Sequence, residues 1–199
     1  SGHWVLRFDN RDVGLSSKID GVGLPDLMAA MAAHLQGQPV AAPYTLSDMA
    51  ADAVRLMDAL ELENAHVCGL SMGGMIAQVM ALEYPQRVMS LISMESSTGD
   101  PTLPPADPQA MEAMLSPPPQ DRAGYIQHAV EVFRAFSGGS DKFDETLEKE
   151  LAANSYDRSF YPIGFTRQVA AILASGDRSE SLASVTAPTL VIHGANDPL

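Results

Sequence analysis

The stretch Gly69-Leu70-Ser71-Met72-Gly73-Gly74 constrains this chain more than any other feature. A short apolar run, Ala65–Gly69 (AHVCG), leads into it, and a helical pattern over Met72–Tyr84 leads out. A strand that becomes a helix within a residue or two forces strained backbone on the residue at the corner. Small residues are then needed where strand and helix crowd, and Gly69 and Gly73 are read in that role. The corner thrusts the Ser71 hydroxyl out at the carboxyl edge of a sheet, where α/β sheets bind ligands. The backbone N–H of Met72, at the helix N-terminus, points to where an oxyanion would form. The spacing fits G-x-S-x-G, so Ser71 is the candidate nucleophile and Met72 the candidate oxyanion donor. A Gly-rich strand-to-helix turn with an incidental serine shares the letters. The strand before, the helix after and the second trailing glycine favour the chemical reading. A phosphate cradle is excluded, because no lysine follows the glycines.

Around this corner the pattern alternates. Trp4–Phe8 (WVLRF) reads as a strand, Asp9–Ser17 as turns, and Leu24–Leu35 holds a short helix. Leu46, Met49, Ala50, Ala53, Met57 and Leu60 recur at three and four residues and predict an amphipathic helix. Thr45, with Asp48 three residues on, resembles its N-terminal capping pair. Arg87–Met94 (RVMSLISM) is a strand. Strands separated by helices imply parallel pairing and an α/β sheet. The character changes near residue 100. Pro101–Pro119 is proline-rich, and helical stretches follow near Asp121–Phe136, Asp141–Asn154 and Tyr161–Ala174. Ile126, Ala129, Val130, Phe133 and Phe136 share one face of the first; Phe165, Val169, Ile172 and Leu173 share one face of the last. No strand separates them, so a helical insertion is expected. Pro188–Gly194 (PTLVIHG) returns to the sheet. The expected division is residues 1–99 and 186–199 for the α/β core and 100–185 for the insertion.

Composition narrows the function. Twelve Lys and Arg against 25 Asp and Glu give a net charge of −13. Phosphate backbones repel such a surface, so no nucleic-acid partner is expected. No apolar run approaches the ~20 residues of a membrane span. The single cysteine, Cys68, rules out an internal disulfide and a cysteine-based metal cluster. Within its strand it reads as a small buried hydrophobe. No metal or organic cofactor is implied. No charged leader with an apolar core is visible, and a cytoplasmic location is expected. A homo-oligomer is left open.

A carboxylate belongs opposite the serine. Asp197 follows the last strand in His193-Gly194-Ala195-Asn196-Asp197-Pro198, on the same sheet edge as Ser71. Acid after nucleophile is the chain order of α/β-hydrolase triads. A turn aspartate before proline is the plainer reading of the same residue. Glu95, after Arg87–Met94, is a second acid position, ranked lower. Arg11 and Asp12 read as a structural salt-bridge and turn network. Met72 and Met75 flank the corner, where they could line a pocket; Tyr161 and Phe165 could face one from the insertion.

Asp9-Asn10-Arg11-Asp12-Val13-Gly14-Leu15-Ser16, Gly69–Gly74 and Pro188–Pro198, in this order, resemble the α/β-hydrolase superfamily, in particular its cap-bearing serine esterase-like members. The likeness is nearest to the aclacinomycin methylesterase-like subgroup. It implies Ser71 as nucleophile, Asp197 as acid and the helical insertion as a lid. It also exposes two gaps. The family's histidine lies beyond one further strand, and none of His3, His34, His66, His128 and His193 is assigned that role. His193 reads as a residue within the strand and His128 as a surface residue. The family's His-Gly segment, which carries the second oxyanion donor and arrives on a central strand, has no counterpart. These 199 residues are therefore expected to be an internal portion of a longer hydrolase. The implied activity is hydrolysis of a small or medium apolar ester or related acyl compound. The alternative is a non-catalytic binding protein on the same fold.

Overall fold

The computed structural model describes residues 2–199. A parallel three-stranded sheet runs in the order β1 (Ala65–Leu70), β2 (Val88–Met94), β3 (Thr189–Ile192). Val67 stands beside Leu91 and Cys68 beside Ile92, and Ile92 beside Leu190. β1 alternates in burial, as expected for a strand with one covered face. α3 (Met72–Glu83) covers that face and packs on both β1 and β2, and α2 (Leu46–Ala59) packs on α3.

The start of α2 is secured as its sequence predicts. The Asp48 carboxylate accepts from the Thr45 backbone N–H at 2.8 Å, and the Thr45 hydroxyl accepts from Asp48 N–H. The Thr45 N–H bond holds the Asp48 carboxyl below its ordinary range. Leu46, Met49, Ala50, Ala53 and Met57 are buried as the periodicity requires, together with Val54. Leu60 is 40% exposed, because the helix ends at Ala59.

Trp4–Phe8 forms no strand. Trp4 is 69% and Val5 72% exposed, and no strand of the described residues pairs with the segment. An apolar run becomes a strand only where a neighbour takes its backbone hydrogen bonds. Cys68 also departs from expectation. It is exposed, on the uncovered face of β1 with His66 and Leu70. β3 is exposed along its length.

α1 (Leu27–Leu35) lies against α7 (Pro162–Ser175), where His34 Nδ1 is 3.2 Å from the Leu173 carbonyl. Between β2 and β3 run α4 (Pro108–Leu115), α5 (Arg122–Phe136), α6 (Glu145–Arg158), α7 and the short α8 (Ser179–Leu182). α4 sits inside the proline-rich stretch, which conceals it. Pro108 occupies the first turn, where its missing N–H loses nothing, and the Asp107 carboxylate caps the N–H groups of Gln109 and Ala110.

The buried face of α7 is not the apolar set predicted. It is Gly164, Arg167, Gln168, Ala170 and Ala171, while Phe165 is 43% exposed. Arg167 is only 3% exposed and faces Asp12, at 0%. The Asp12 carboxylate accepts from Arg167 at 3.0 Å, from Tyr44 Oη at 2.9 Å and from Ile19 N–H at 2.8 Å. A side chain on Gly164 would collide with the Asp12 carbonyl oxygen, so glycine allows α7 to come this close. Arg11 pairs with Asp52 at 2.6 Å. Both residues thus belong to a structural network, as read from sequence. Burial pushes the Tyr44 hydroxyl well above its ordinary pKa.

No helix among the described residues is long and apolar enough to cross a membrane.

Candidate active site

β1 ends at Leu70 and α3 begins at Met72, leaving Ser71 alone to make the corner. Its φ of 52° and ψ of −120° lie where side chains are rarely found. Such a conformation costs about 1–3 kcal/mol and persists only where the surroundings fix it. Here the Ser71 N–H donates to the Met94 carbonyl at 2.9 Å, tying the corner to the end of β2. The Ser71 carbonyl accepts from Gly74 N–H, Met75 N–H and the Ser96 hydroxyl. The side chain is exposed, and its hydroxyl makes no hydrogen bond among the described residues.

The glycines divide the work unequally. A Cβ on Gly69 would overlap the Gly73 carbonyl, and one on Gly74 would sit 2.6 Å from Ser96 Cβ. A Cβ on Gly73 meets nothing within 4 Å. Gly69 and Gly74, rather than Gly69 and Gly73, are the positions where a side chain does not fit.

Three loops leave the carboxyl ends of the strands on one edge. Ser71 follows β1, Glu95 follows β2 and Asp197 lies in the turn after β3. β1 and β3 are two strand spacings apart, about 10 Å. The Asp197 side chain is 16% exposed. One carboxylate oxygen accepts from Leu199 N–H at 3.0 Å, and the other lies 3.3 Å from His193 Nε2. His193 is not within the strand: β3 stops at Ile192, and the imidazole turns onto the acid, 43% exposed. Glu95 is exposed, has a φ of 44°, and its carboxylate has no partner among the described residues. Met72 N–H is the first donor of α3 and lacks an acceptor within the helix.

Met72 and Met75 pack against the hydrophobic core and do not border the cavity beside α5 and α7. Tyr161 and Phe165 do face that cavity, an open one bordered by α4–α7 and the 13–14 turn. Neither Ser71 nor Asp197 borders it, whereas His128 does, half-buried rather than on the open surface. Hydrophobic periodicity missed its wall residue Gln168; a polar residue on the stripe 164, 167, 168, 171 was the available signal.

A parallel sheet whose first loop forces a serine into a strained strand-to-helix corner, with helices inserted before its last strand, defines an α/β-hydrolase architecture. The family model for the alpha/beta hydrolase fold matches residues 1–199, and the chain belongs to that family. It is 29% identical to rhodomycin D methylesterase of Streptomyces peucetius, over 100% of this chain and 67% of that protein. It is 30% identical to a 2-hydroxy-6-oxononadienedioate/2-hydroxy-6-oxononatrienedioate hydrolase of Paraburkholderia xenovorans (strain LB400), over 81% of this chain and 56% of the relative. Among solved structures it resembles a hydrolase from Pseudomonas aeruginosa PA01, with a TM-score of 0.59 and 27% identity, over 95% of this chain and 60% of that one. The chain thus spans between just over half and two thirds of the length of these proteins. Two are named as hydrolases and one as a methylesterase, and hydrolase activity is what they support here.

Proposed function

We propose that this chain is the nucleophile- and acid-bearing part of a serine hydrolase for small or medium apolar esters or related acyl compounds. The observation that carries this reading is Ser71 itself, an exposed hydroxyl held at a φ of 52° on a one-residue corner. Nothing in the packing of such a corner calls for a serine. Ser71 Oγ attacks the acyl carbonyl carbon while an imidazole takes its proton. The oxyanion is held by Met72 N–H and a second N–H from outside this chain; one such donor is worth about 10²–10³ in kcat. The imidazolium returns its proton to the departing alcohol. Water then attacks the acyl-enzyme by the same route and frees the acid. Asp197 orients the imidazole and stabilises its charge.

The base is read as lying beyond residue 199. His193 touches Asp197 from the same turn, through Nε2, and is read as support for the acid. The rhodomycin D relative is a methylesterase by name, which is consistent with a carboxylic ester as substrate.

A fluorophosphonate probe tests the reading. The intact protein should be labelled, and Ser71→Ala should abolish labelling; a folded protein that takes no label overturns it. The 199-residue chain alone should barely turn over p-nitrophenyl acetate. Turnover at ordinary esterase rates would place the base within the chain.

A further inference from the structure

Two side-chain-bearing residues at the carboxyl edge of the sheet hold a positive φ, Ser71 at 52° and Glu95 at 44°. Such backbone is uncommon outside glycine, and where it persists it gathers at functional sites. The proposed reaction uses the serine and has no task for the glutamate.

The strand register sets Glu95 beside the nucleophile. Leu70 pairs with Met94 and Met94 with Ile192, so the next row across the edge is Ser71, Glu95, His193. Neighbours in that row stand one strand spacing apart, about 4.8 Å. The glutamate's backbone is pinned from both sides. The Met94 carbonyl accepts from Ser71 N–H at 2.9 Å, the Ser96 hydroxyl donates to the Ser71 carbonyl at 2.9 Å, and Glu95 N–H donates to the Ile192 carbonyl at 2.8 Å.

The carboxylate has no such anchor. It is exposed, and no hydrogen bond or ion pair reaches it among the described residues. Arg178 comes as close as the Ser97 carbonyl, but its other bonds go to the Gly176 carbonyl and Gln78. Asp197, the other carboxylate on this edge, is 16% exposed and faces His193. A negative charge with no counter-ion therefore stands next to Ser71, on a chain of net charge −13. Two unit charges about 8 Å apart, at an effective dielectric constant of about 20–40, change an equilibrium by roughly 6- to 30-fold.

We infer that Glu95 is a specificity-determining residue, whose charge selects neutral and cationic esters over anionic ones at Ser71. This rests on the reading of Ser71 as the nucleophile.

Steady-state kinetics of the intact protein on two matched pairs test it. Methyl 4-acetoxybenzoate and 4-acetoxybenzoate form a neutral and anionic pair. 3,3-Dimethylbutyl acetate and acetylcholine form a neutral and cationic pair of one shape. At low ionic strength Glu95→Gln should raise the anion-to-neutral ratio of kcat/KM about tenfold and lower the cation-to-neutral ratio about tenfold. In about 1 M NaCl, where charges are screened within about 3 Å, both changes should shrink below about threefold. Opposite shifts are the mark of charge, whereas a packing change moves both ratios the same way. Ratios within about twofold of the unaltered protein's, or shifts in one direction, overturn the inference. Loss of fluorophosphonate labelling in Glu95→Gln would place the carboxylate in the proton relay and overturn it as well. Should Glu95→Gln fail to fold, Glu95→Asn decides by the same ratios, since asparagine tolerates positive φ. An intact protein that takes no label at Ser71 sinks the nucleophile reading and this inference together. A labelled protein with unmoved ratios sinks this inference alone.

Discussion

Replacing Ser71 by glycine should make the protein more stable, and replacing it by alanine should not. The conformation at φ 52°, ψ −120° is expensive for any residue with a Cβ, at about 1–3 kcal/mol. Glycine adopts it freely, which removes that strain. Glycine also adds freedom to the unfolded chain, which offsets about 0.5–1 kcal/mol. The difference is a gain of about 1 kcal/mol for Ser71→Gly. Alanine keeps the Cβ and hence the strain. It loses only an exposed hydroxyl that has no partner among the described residues, so its effect should be close to zero. Urea unfolding separates the two variants. With a slope of about 2 kcal/mol per molar, the glycine variant's midpoint should lie about 0.5 M above the alanine variant's. In a chain of this length the melting temperature should rise by about 2–4 °C. Both variants should lose fluorophosphonate labelling. A glycine variant no more stable than the alanine variant would show that the corner is relaxed, and the case for a serine kept there for chemistry would fail.

The flanking glycines give a contrasting pair: Gly69→Ala should destabilise by about 2 kcal/mol or more through its clash with the Gly73 carbonyl, while Gly73→Ala should be neutral or slightly stabilising, both read by thermal unfolding. Arg167→Met should cost about 3–5 kcal/mol, because it leaves the fully buried Asp12 carboxylate without its counter-charge; urea unfolding of the variant checks this. Arg158 donates to both Asp9 carboxylate oxygens, and this hydrogen bonding holds the Asp9 carboxyl below its ordinary 3.8. Its contribution to stability is therefore complete above that value and lost as pH falls through the lower folded value. The stability gap between the unaltered chain and Asp9→Asn should be flat near neutrality and close in acid; a gap independent of pH down to 2 would refute the pairing.

Much of the fold was legible because local and tertiary signals agree. In α2 the capping pair, the apolar period and the helix propensity all point one way, and its buried face matches the prediction nearly residue for residue. The strand–corner–helix unit was legible for the same reason. Trp4–Phe8 shows the opposite case. Its composition favours a strand, but pairing is a property of two segments, and no described strand pairs with it. Cys68, read as a buried hydrophobe, is exposed because its face of β1 has no covering layer among the described residues. α7 shows the limit of periodicity. Its buried stripe includes an arginine and a glutamine, tolerable inside only because Asp12 and the Arg11 carbonyl receive them. Partners more than 150 residues apart are not visible in a local pattern.

The same network bears on how the helical segment is held. Asp9, Asp12 and Asp20, all in the turns before α1, meet Arg158 of α6, Arg167 of α7 and Tyr161 at the start of α7. Arg178, 6% exposed, anchors the exit with bonds to the Ser97 and Gly176 carbonyls and to Gln78 of α3; burial lowers its pKa. Gln78 in turn donates to Ser93 of β2, one residue before the carbonyl that fixes Ser71. The inserted helices are thus tied to the core by directional polar bonds at both ends, besides the apolar contact of Ala171 and Ile172 with the core cluster. Such bonds fix orientation at modest net gain in stability. They also make the position of these helices sensitive to single charge-removing substitutions. The Asp12–Arg167 pair is the one where that sensitivity should be greatest, because only there are both partners removed from water.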